Sequence, residues 1–367
     1  MPILEGTTGQ LVLVTGANGY IALWTVRRLL EEGFSVRATV RAKTKAEVLQ
    51  KLFSPYGERF QWVEVADITK EGAFDDAVRD VDAIEHMASP LPGSTNGHPE
   101  EYSGPAVNGT LSLLRSALKF GSRVKRIVMT SSVGAIVRIN IPQDFVFDES
   151  HWGDEFLQAV KERGSAAPEL VKYRASKVLS ERAAWDFYDK HKAQIGWDLV
   201  VMNPPVVIGP PLNHLKSPDD LNISLLVWYQ NIAKEQPDTL LGSTYAFVDV
   251  RDVAEAHVVA LMKVNASGQR IIVCEGTTTW QDTRNLLFKL RPEFYAGDKP
   301  VLPRGNPDLQ RQVLFSYDAE KGKRILKLKY RSIEEITVDT IADFEARGWL
   351  QKQQDTQGDI ISWPVMS

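Results

Sequence analysis

The sequence predicts an α/β protein built on a doubly wound parallel sheet of about seven strands, and two observations carry that expectation. Seven short runs rich in Val and Ile (LVLVTG, SVRATV, FQWVEVA, VDAIEHMA, VKRIVMTSS, WDLVVMNP and RIIVCEG) are separated by longer stretches. In those stretches, such as GYIALWTVRRLLEEG, apolar residues recur every three or four positions, which is the helical period. Strand, helix, strand in repetition places helices on both faces of a parallel sheet. The strand runs are nearly continuous in apolar character, as expected when both sides of a sheet are covered.

The first element, LVLVTGANGYIALWTV, reads as a buried strand, a glycine turn and an amphipathic helix. Gly16 permits the tight turn and Gly19 lets backbone approach a pyrophosphate, which the free N–H groups and positive dipole of the helix start would bind. Asn18, Tyr20 and Ile21 complete the expected contacts. The spacing is Gly-x-x-Gly-x-x-Ala, with Ala22 where a third glycine is usual; a small side chain there still allows close helix–strand packing. The pattern is that of a Rossmann-type dinucleotide fold.

An acidic residue at the end of the second strand, some 20 residues on, would bind the ribose of NAD. None is present; Glu31 and Glu32 fall in the preceding helix, and the strand runs into VRATVRAKTK. Arg41 and Lys45, with Arg37 as a helper, suit a 2′-phosphate, so NADPH/NADP+ is the expected cofactor. At the end of the third strand Asp67 has two readings: acceptor for an adenine amino group with Ile68 against the ring, or helix cap. The fourth strand closes with Ala88 and Ser89, small enough for a cofactor to pass closely, and its His86 reads as a core histidine.

After about residue 204 the rhythm breaks into NPPVVIGPPLNHLKSPDD, a loop by its Pro and Gly content. A helical LNISLLVWYQNIAKEQ, the segment AFVDVRDVAEAHVVALMK and a last strand follow, with a final helix near IEEITVDTIADFEARGW. The expected division is a nucleotide-binding domain over 1–204, rejoined by 246–275, and a smaller, discontinuous substrate-binding cap over 205–245 and 276–367.

Hydrophobic content of 43% and charged content of 25% are those of a globular protein with ample core. A net charge of −4 shows no basic stripe for nucleic acid, and no run of about 18 apolar residues suggests a membrane span. No signal peptide is recognisable. The single cysteine, Cys274, reads as an inert core thiol and fits a reducing compartment, so a cytoplasmic monomer or homodimer is expected.

The offset Tyr-x-x-x-Lys, which puts phenol and ammonium on one helix face, occurs at Tyr173/Lys177, Tyr188/Lys192, Tyr295/Lys299 and Tyr317/Lys321. Spacing alone does not choose among them. Context does. TGANGYIA, ADI, ASP, PAVNGT, TSSVGAI, YRASK, NPPVVIGP and FVDVRDVAEAH occur in the order seen in extended short-chain dehydrogenases/reductases. From about residue 10 to about 345 the chain resembles their dihydroflavonol-reductase-like branch, most closely the fungal NADPH-dependent carbonyl (methylglyoxal/aldehyde) reductases.

The resemblance implies a Ser/Tyr/Lys catalytic set. Tyr173 and Lys177 match it on a helix begun by Pro168 in its first turn, and Ser132 matches the second serine of RIVMTSS, with the preceding Thr130 and Ser131 expected at the cofactor. The tyrosine would protonate the carbonyl oxygen; a free phenol has a pKa of about 10, and a neighbouring ammonium favours its phenolate. The lysine would also bind the nicotinamide ribose, and the serine would donate to the developing oxyanion. Asn108 matches a position that supports a proton relay in the superfamily, with a structural role equally open. Pro204, Pro205 and Val206 are expected at the nicotinamide edge. Leu91, Val133, Leu170, Val206 and Trp228 are expected around a small, hydrophobic carbonyl substrate. Asp249, Asp252 and His257 are expected to stabilise the packing of the cap. The implied function is NADPH-dependent reduction of aldehydes and ketones; the alternatives are a same-fold epimerase or isomerase, a flavonoid-type ketone reductase, and a non-catalytic NADP sensor.

Overall fold

The computed structural model describes residues 4, 9–89, 97–298, 300–310 and 312–350. In chain order the first elements are β1 (Leu11–Thr15), α1 (Tyr20–Glu31), β2 (Ser35–Val40), α2 (Lys43–Leu52), β3 (Phe60–Glu64), β4 (Ala83–His86), α3 (Glu100–Phe120) and β5 (Arg126–Thr130). Next come β6 (Phe145–Phe147), α4 (Asp154–Arg163), α5 (Glu169–His191), β7 (Asp198–Asn203) and β8 (Val206–Ile208). The remainder comprises α6 (Ile223–Ala233), α7 (Asp238–Leu241), β9 (Thr244–Asp249), α8 (Val250–Met262), β10 (Arg270–Ile272), β11 (Gly276–Thr279), α9 (Trp280–Leu290), β12 (Phe315–Tyr317), α10 (Glu320–Leu326) and α11 (Ile333–Ala346).

All seven apolar runs become strands of one sheet, ordered β10-β7-β5-β4-β1-β2-β3 and parallel throughout. The alternation of side chains along each strand feeds two cores. Val12 and Val14 of β1 pack with α1 and α8, whereas Leu13 packs with Leu113 of α3 and Phe187 of α5. On β7, Val200 and Met202 join the first core and Leu199 and Val201 the second.

Successive strands run outward from β1 to β3, and β4 then begins again on the other side of β1. The crevice at the carboxyl ends of β1 and β4 is the topological switch point, where this class of sheet binds ligands.

Two smaller sheets, β11-β9-β8 and β12-β6, were not legible as such. Strand β9 pairs with β8 and β11, so within 246–275 it is α8 and β10 that return to the large sheet. Asp249 caps α8 through the Arg251 N–H at 2.7 Å, and Asp252 accepts from the backbone N–H of Arg331, just before α11, at 2.7 Å. His257 does something other than support the cap. It is fully buried, with Nδ1 2.7 Å from Glu85 on β4 and Nε2 3.1 Å from Thr130 on β5, so it ties α8 to the central sheet.

Candidate active site

At the switch point the chain folds back over a groove lined by Gly16, Asn18, Gly19, Thr39, Arg41, Lys45, Ile68, Ala88 and Ser89, with a cavity volume of about 330 Å³. Gly16 has φ +63°, and a Cβ on it would stand 2.9 Å from the Ala88 Cα, so both its conformation and its neighbour require glycine. Thr39 holds the loop by accepting from the Gly16 N–H at 3.2 Å, a contact that motif spacing does not reveal. Gly19 precedes α1 without a side-chain cap, so the first-turn N–H groups of Tyr20, Ile21 and Ala22 are open to an anion.

The Tyr20 hydroxyl itself points elsewhere, donating to the Gly209 carbonyl at 2.7 Å; Ile21 packs against the core. Arg41 and Lys45 are exposed on the groove, and no carboxylate is among its described lining residues. Arg37 is not a phosphate ligand; it donates to the carbonyls of Ala77 at 3.0 Å and Arg79 at 2.6 Å. Asp67 is exposed and caps no helix; it closes a turn, accepting from the Thr69 N–H at 2.9 Å and hydroxyl at 2.7 Å, and those bonds hold its carboxyl below the usual range. Ile68 does line the groove and packs closely on Gly109: a Cβ there would lie 2.9 Å from Ile68 Cδ1, so any larger residue would shift the Ile68 side chain.

His86 lies buried beneath this groove. Thr15 Oγ1 accepts from the N–H groups of Met87 and Ala88, each at 3.0 Å, so its own proton goes to His86 Nδ1 at 2.9 Å. Burial first, and the Lys177 charge second, push this imidazole down to about 4.

A second cavity, of about 170 Å³, adjoins the ends of β5 and β7. Ser132 and Tyr173 both line it, with Val133, Leu170, Pro205 and Val206. Ser132 Oγ accepts from the Gly134 N–H at 3.0 Å and makes a long 3.4 Å bond to the Pro204 carbonyl, which leaves its proton available to a better acceptor. Pro204 itself is buried and lines neither space.

Lys177 stands at the junction of groove and cavity, its Nζ 5.6 Å from the Tyr173 ring centroid and donating to Ser89 Oγ at 3.0 Å. The supporting helix, α5, starts at Glu169; Pro168 is its N-cap, with ψ 149°, one residue outside the first turn. The other three pairs do not make sites. Lys192 bonds Asp189 at 3.2 Å; Tyr317 and Lys321 lie on different elements; Tyr295 ends a short 3-10 turn, and Lys299 is outside the described residues.

Several expectations need correction. Thr130 and Ser131 do not line the groove: Thr130 is bonded to His257, and Ser131 Oγ donates to Glu181 at 2.5 Å. Trp228 is fully buried against Phe344, with ring centroids 6.1 Å apart. The cavity face of α6 is instead Ile223, Ser224 and Val227, one helical stripe that Trp228 does not share. Asn108 is exposed on α3 and lines neither space, and Leu91 lies outside the described residues.

Glu181 escaped sequence reasoning altogether. Fully buried one turn beyond Lys177, it accepts from Ser131 and from Asn203 Nδ2 at 2.9 Å and pairs with Arg270. Asn203 also donates to the Ser132 carbonyl at 3.1 Å, so this network fixes the serine strand edge against α5. A carboxylate four residues after Lys177, hence on the same helix face, was the available signal. Among the described residues no cluster of His, Cys, Asp or Glu could hold a metal ion, and no helix is long and apolar enough to cross a membrane.

Residues 12–274 match the NAD dependent epimerase/dehydratase family. The chain is 32% identical over 346 residues to the NADPH-dependent methylglyoxal reductase GRE2 of Saccharomyces cerevisiae, covering 92% of this chain and 99% of that one. It is 33% identical over 351 residues to ketoreductase azaE of Aspergillus niger, covering 92% and 98%. The crystal structure of yeast methylglyoxal/isovaleraldehyde reductase Gre2 complexed with NADPH superposes with a TM-score of 0.81 at 30% identity, over 92% of this chain and 99% of that one.

Proposed function

The chain belongs to the NAD dependent epimerase/dehydratase family, and from that premise we propose that it reduces small aldehydes and ketones to alcohols with NADPH. The observation that carries the reading is the convergence of Ser132 and Tyr173 on one cavity wall, with Lys177 between that cavity and the dinucleotide groove.

The groove fits the cofactor: a glycine cradle at Gly16, open N–H groups at the start of α1, and Arg41 and Lys45 for a 2′-phosphate with no competing lining carboxylate. NADPH, when bound, supplies the hydride. The protein's own residues do the rest. Ser132 shifts its hydroxyl from the long bond to Pro204 onto the substrate oxygen, stabilising charge as it grows there. Tyr173 delivers the proton, and Lys177 favours the phenolate left behind and holds the ribose edge of the groove beside Ser89. Val133, Leu170, Val206 and Val227 exclude water and favour a small carbonyl compound over a nucleotide sugar. A cytosolic enzyme is part of this reading, supported by a buried lone cysteine whose thiol burial pushes up to about 12.

The deciding experiment supplies branched aldehydes, diketones and β-keto esters with NADPH and measures both NADPH loss and alcohol formed. One alcohol per NADPH, with free NADP+ released, is the expected result. Isomerised product with no net NADPH consumption would replace the reductase with an epimerase.

A further inference from the structure

Among the described residues lining the substrate cavity only one carries a charge, and it is the residue that follows the proton donor. Arg174 shares the wall with Ser132, Gly134, Tyr173 and Tyr317. A Cβ at Gly134 would lie 3.3 Å from Ser132 Oγ and 3.5 Å from Arg174 Cγ, so the arginine stem runs alongside the hydroxyl assigned to the carbonyl oxygen. The guanidinium carbon is 5.2 Å from the ring centroid of Phe156, which is fully buried. Burial is the main influence on this side chain and pulls its pKa down; the phenols of Tyr317 and Tyr173 act in the opposite direction.

A guanidinium stays ionised and presents five donors in a fixed fork that matches a carboxylate. In a wall otherwise made of aliphatic, aromatic and small polar groups, an anionic acceptor gains more from it than in water. The apolar lining accounts for a short hydrocarbon chain, but leaves the cation without a role in substrate choice.

We propose that Arg174 determines specificity and that the preferred substrates are short-chain oxo acids, bound with the reacting carbonyl on Ser132 and Tyr173 and the carboxylate on Arg174. This rests on the reductase reading. Hydride from NADPH goes to the carbonyl carbon and the Tyr173 proton to its oxygen; the C=O π bond is lost, and the products are a hydroxy acid and NADP+. The carboxylate is unchanged and serves only to orient.

The test compares kcat/KM for an oxo acid with that for its methyl ester, at pH 7, where the acid is ionised. The wild-type protein should favour the acid, and Arg174→Met should lower the acid-to-ester ratio about 10- to 100-fold, the range of a charge-assisted hydrogen bond. An unchanged ratio, or an equal loss on both substrates, overturns the proposal. Inhibition of the wild-type protein needs no variant to fold: butyrate should compete with a neutral aldehyde at least 10-fold more strongly than butyramide, and equal inhibition overturns it too. If the wild-type protein oxidises NADPH with neither acids nor neutral carbonyls, it is the reductase reading that has failed.

Discussion

The dinucleotide groove draws every described wall residue from positions 16–89, whereas the substrate cavity gathers six separate stretches between Ser132 and Tyr317. The groove is held by backbone. Gly16 and Ala17 N–H groups bond Thr39, Met87 and Ala88 N–H groups bond Thr15, and the adjacent strand ends β1, β2 and β4 supply the frame. The cavity is held by residues from the two small sheets, from the loops after β5 and β7, and from α5 and α6. Lys177 joins the two regions through Ser89. A backbone site can be recognised from short-range spacing; a side-chain site depends on contacts that no local pattern encodes.

The largest effect should separate the regions outright. Tyr173→Phe removes the acid and leaves the groove intact, so kcat should fall about 100- to 10,000-fold while NADPH affinity, read by fluorescence titration, stays unchanged. Retained turnover would refute the assignment.

A smaller effect should act on the groove through pH. The folded His86 imidazole titrates at about 4 because it is buried and lies near the Lys177 charge. Its unfolded counterpart titrates near 6.5. Between those values the unfolded chain binds the proton and the folded one does not, so stability is complete above about pH 6.5 and declines as pH falls towards 4, by about 3 kcal/mol in all. Denaturant melts across that window should show this slope, and His86→Gln should remove most of it. NADPH affinity should decline over the same range, because Thr15 also holds Met87 and Ala88.

The smallest effect sharpens the comparison within the groove. Arg41→Ala should raise KM for NADPH about 10- to 100-fold and leave that for NADH nearly unchanged. Equal changes for both cofactors would remove the 2′-phosphate role.

Apolar runs announced every strand of the large sheet, down to four-residue β4 and three-residue β10, because strands packed between two layers of helices are apolar along much of their length. Strands β6, β8 and β12 carry no such signal, since their apolar stretches (FVF, VVI and VLF) are only three residues long, whereas that of β10 runs on to Cys274. Trp228 illustrates the same limit on a helix. Choosing it correctly identified α6 as a wall, but Val227, a single residue and 100° of rotation away, faces the cavity. Thr130 and Ser131 were expected at the cofactor by adjacency to Ser132, yet buried His257 and Glu181 claim their hydroxyls.

The amino-acid sequence by itself determined the sheet and the glycine loop and singled out Arg41, Lys45, Ser132, Tyr173 and Lys177 as candidates, because each follows from local periodicity or from ordered motifs. Tertiary structure alone decided that Arg174 and Tyr317 share a wall, that Glu181 and Asn203 brace the serine edge, and that His86 underpins the groove. The physical reason is sequence distance. Arg174 and Tyr317 stand 143 positions apart and share a wall because β12 is laid beside β6, a strand that falls between β5 and β7 in the chain.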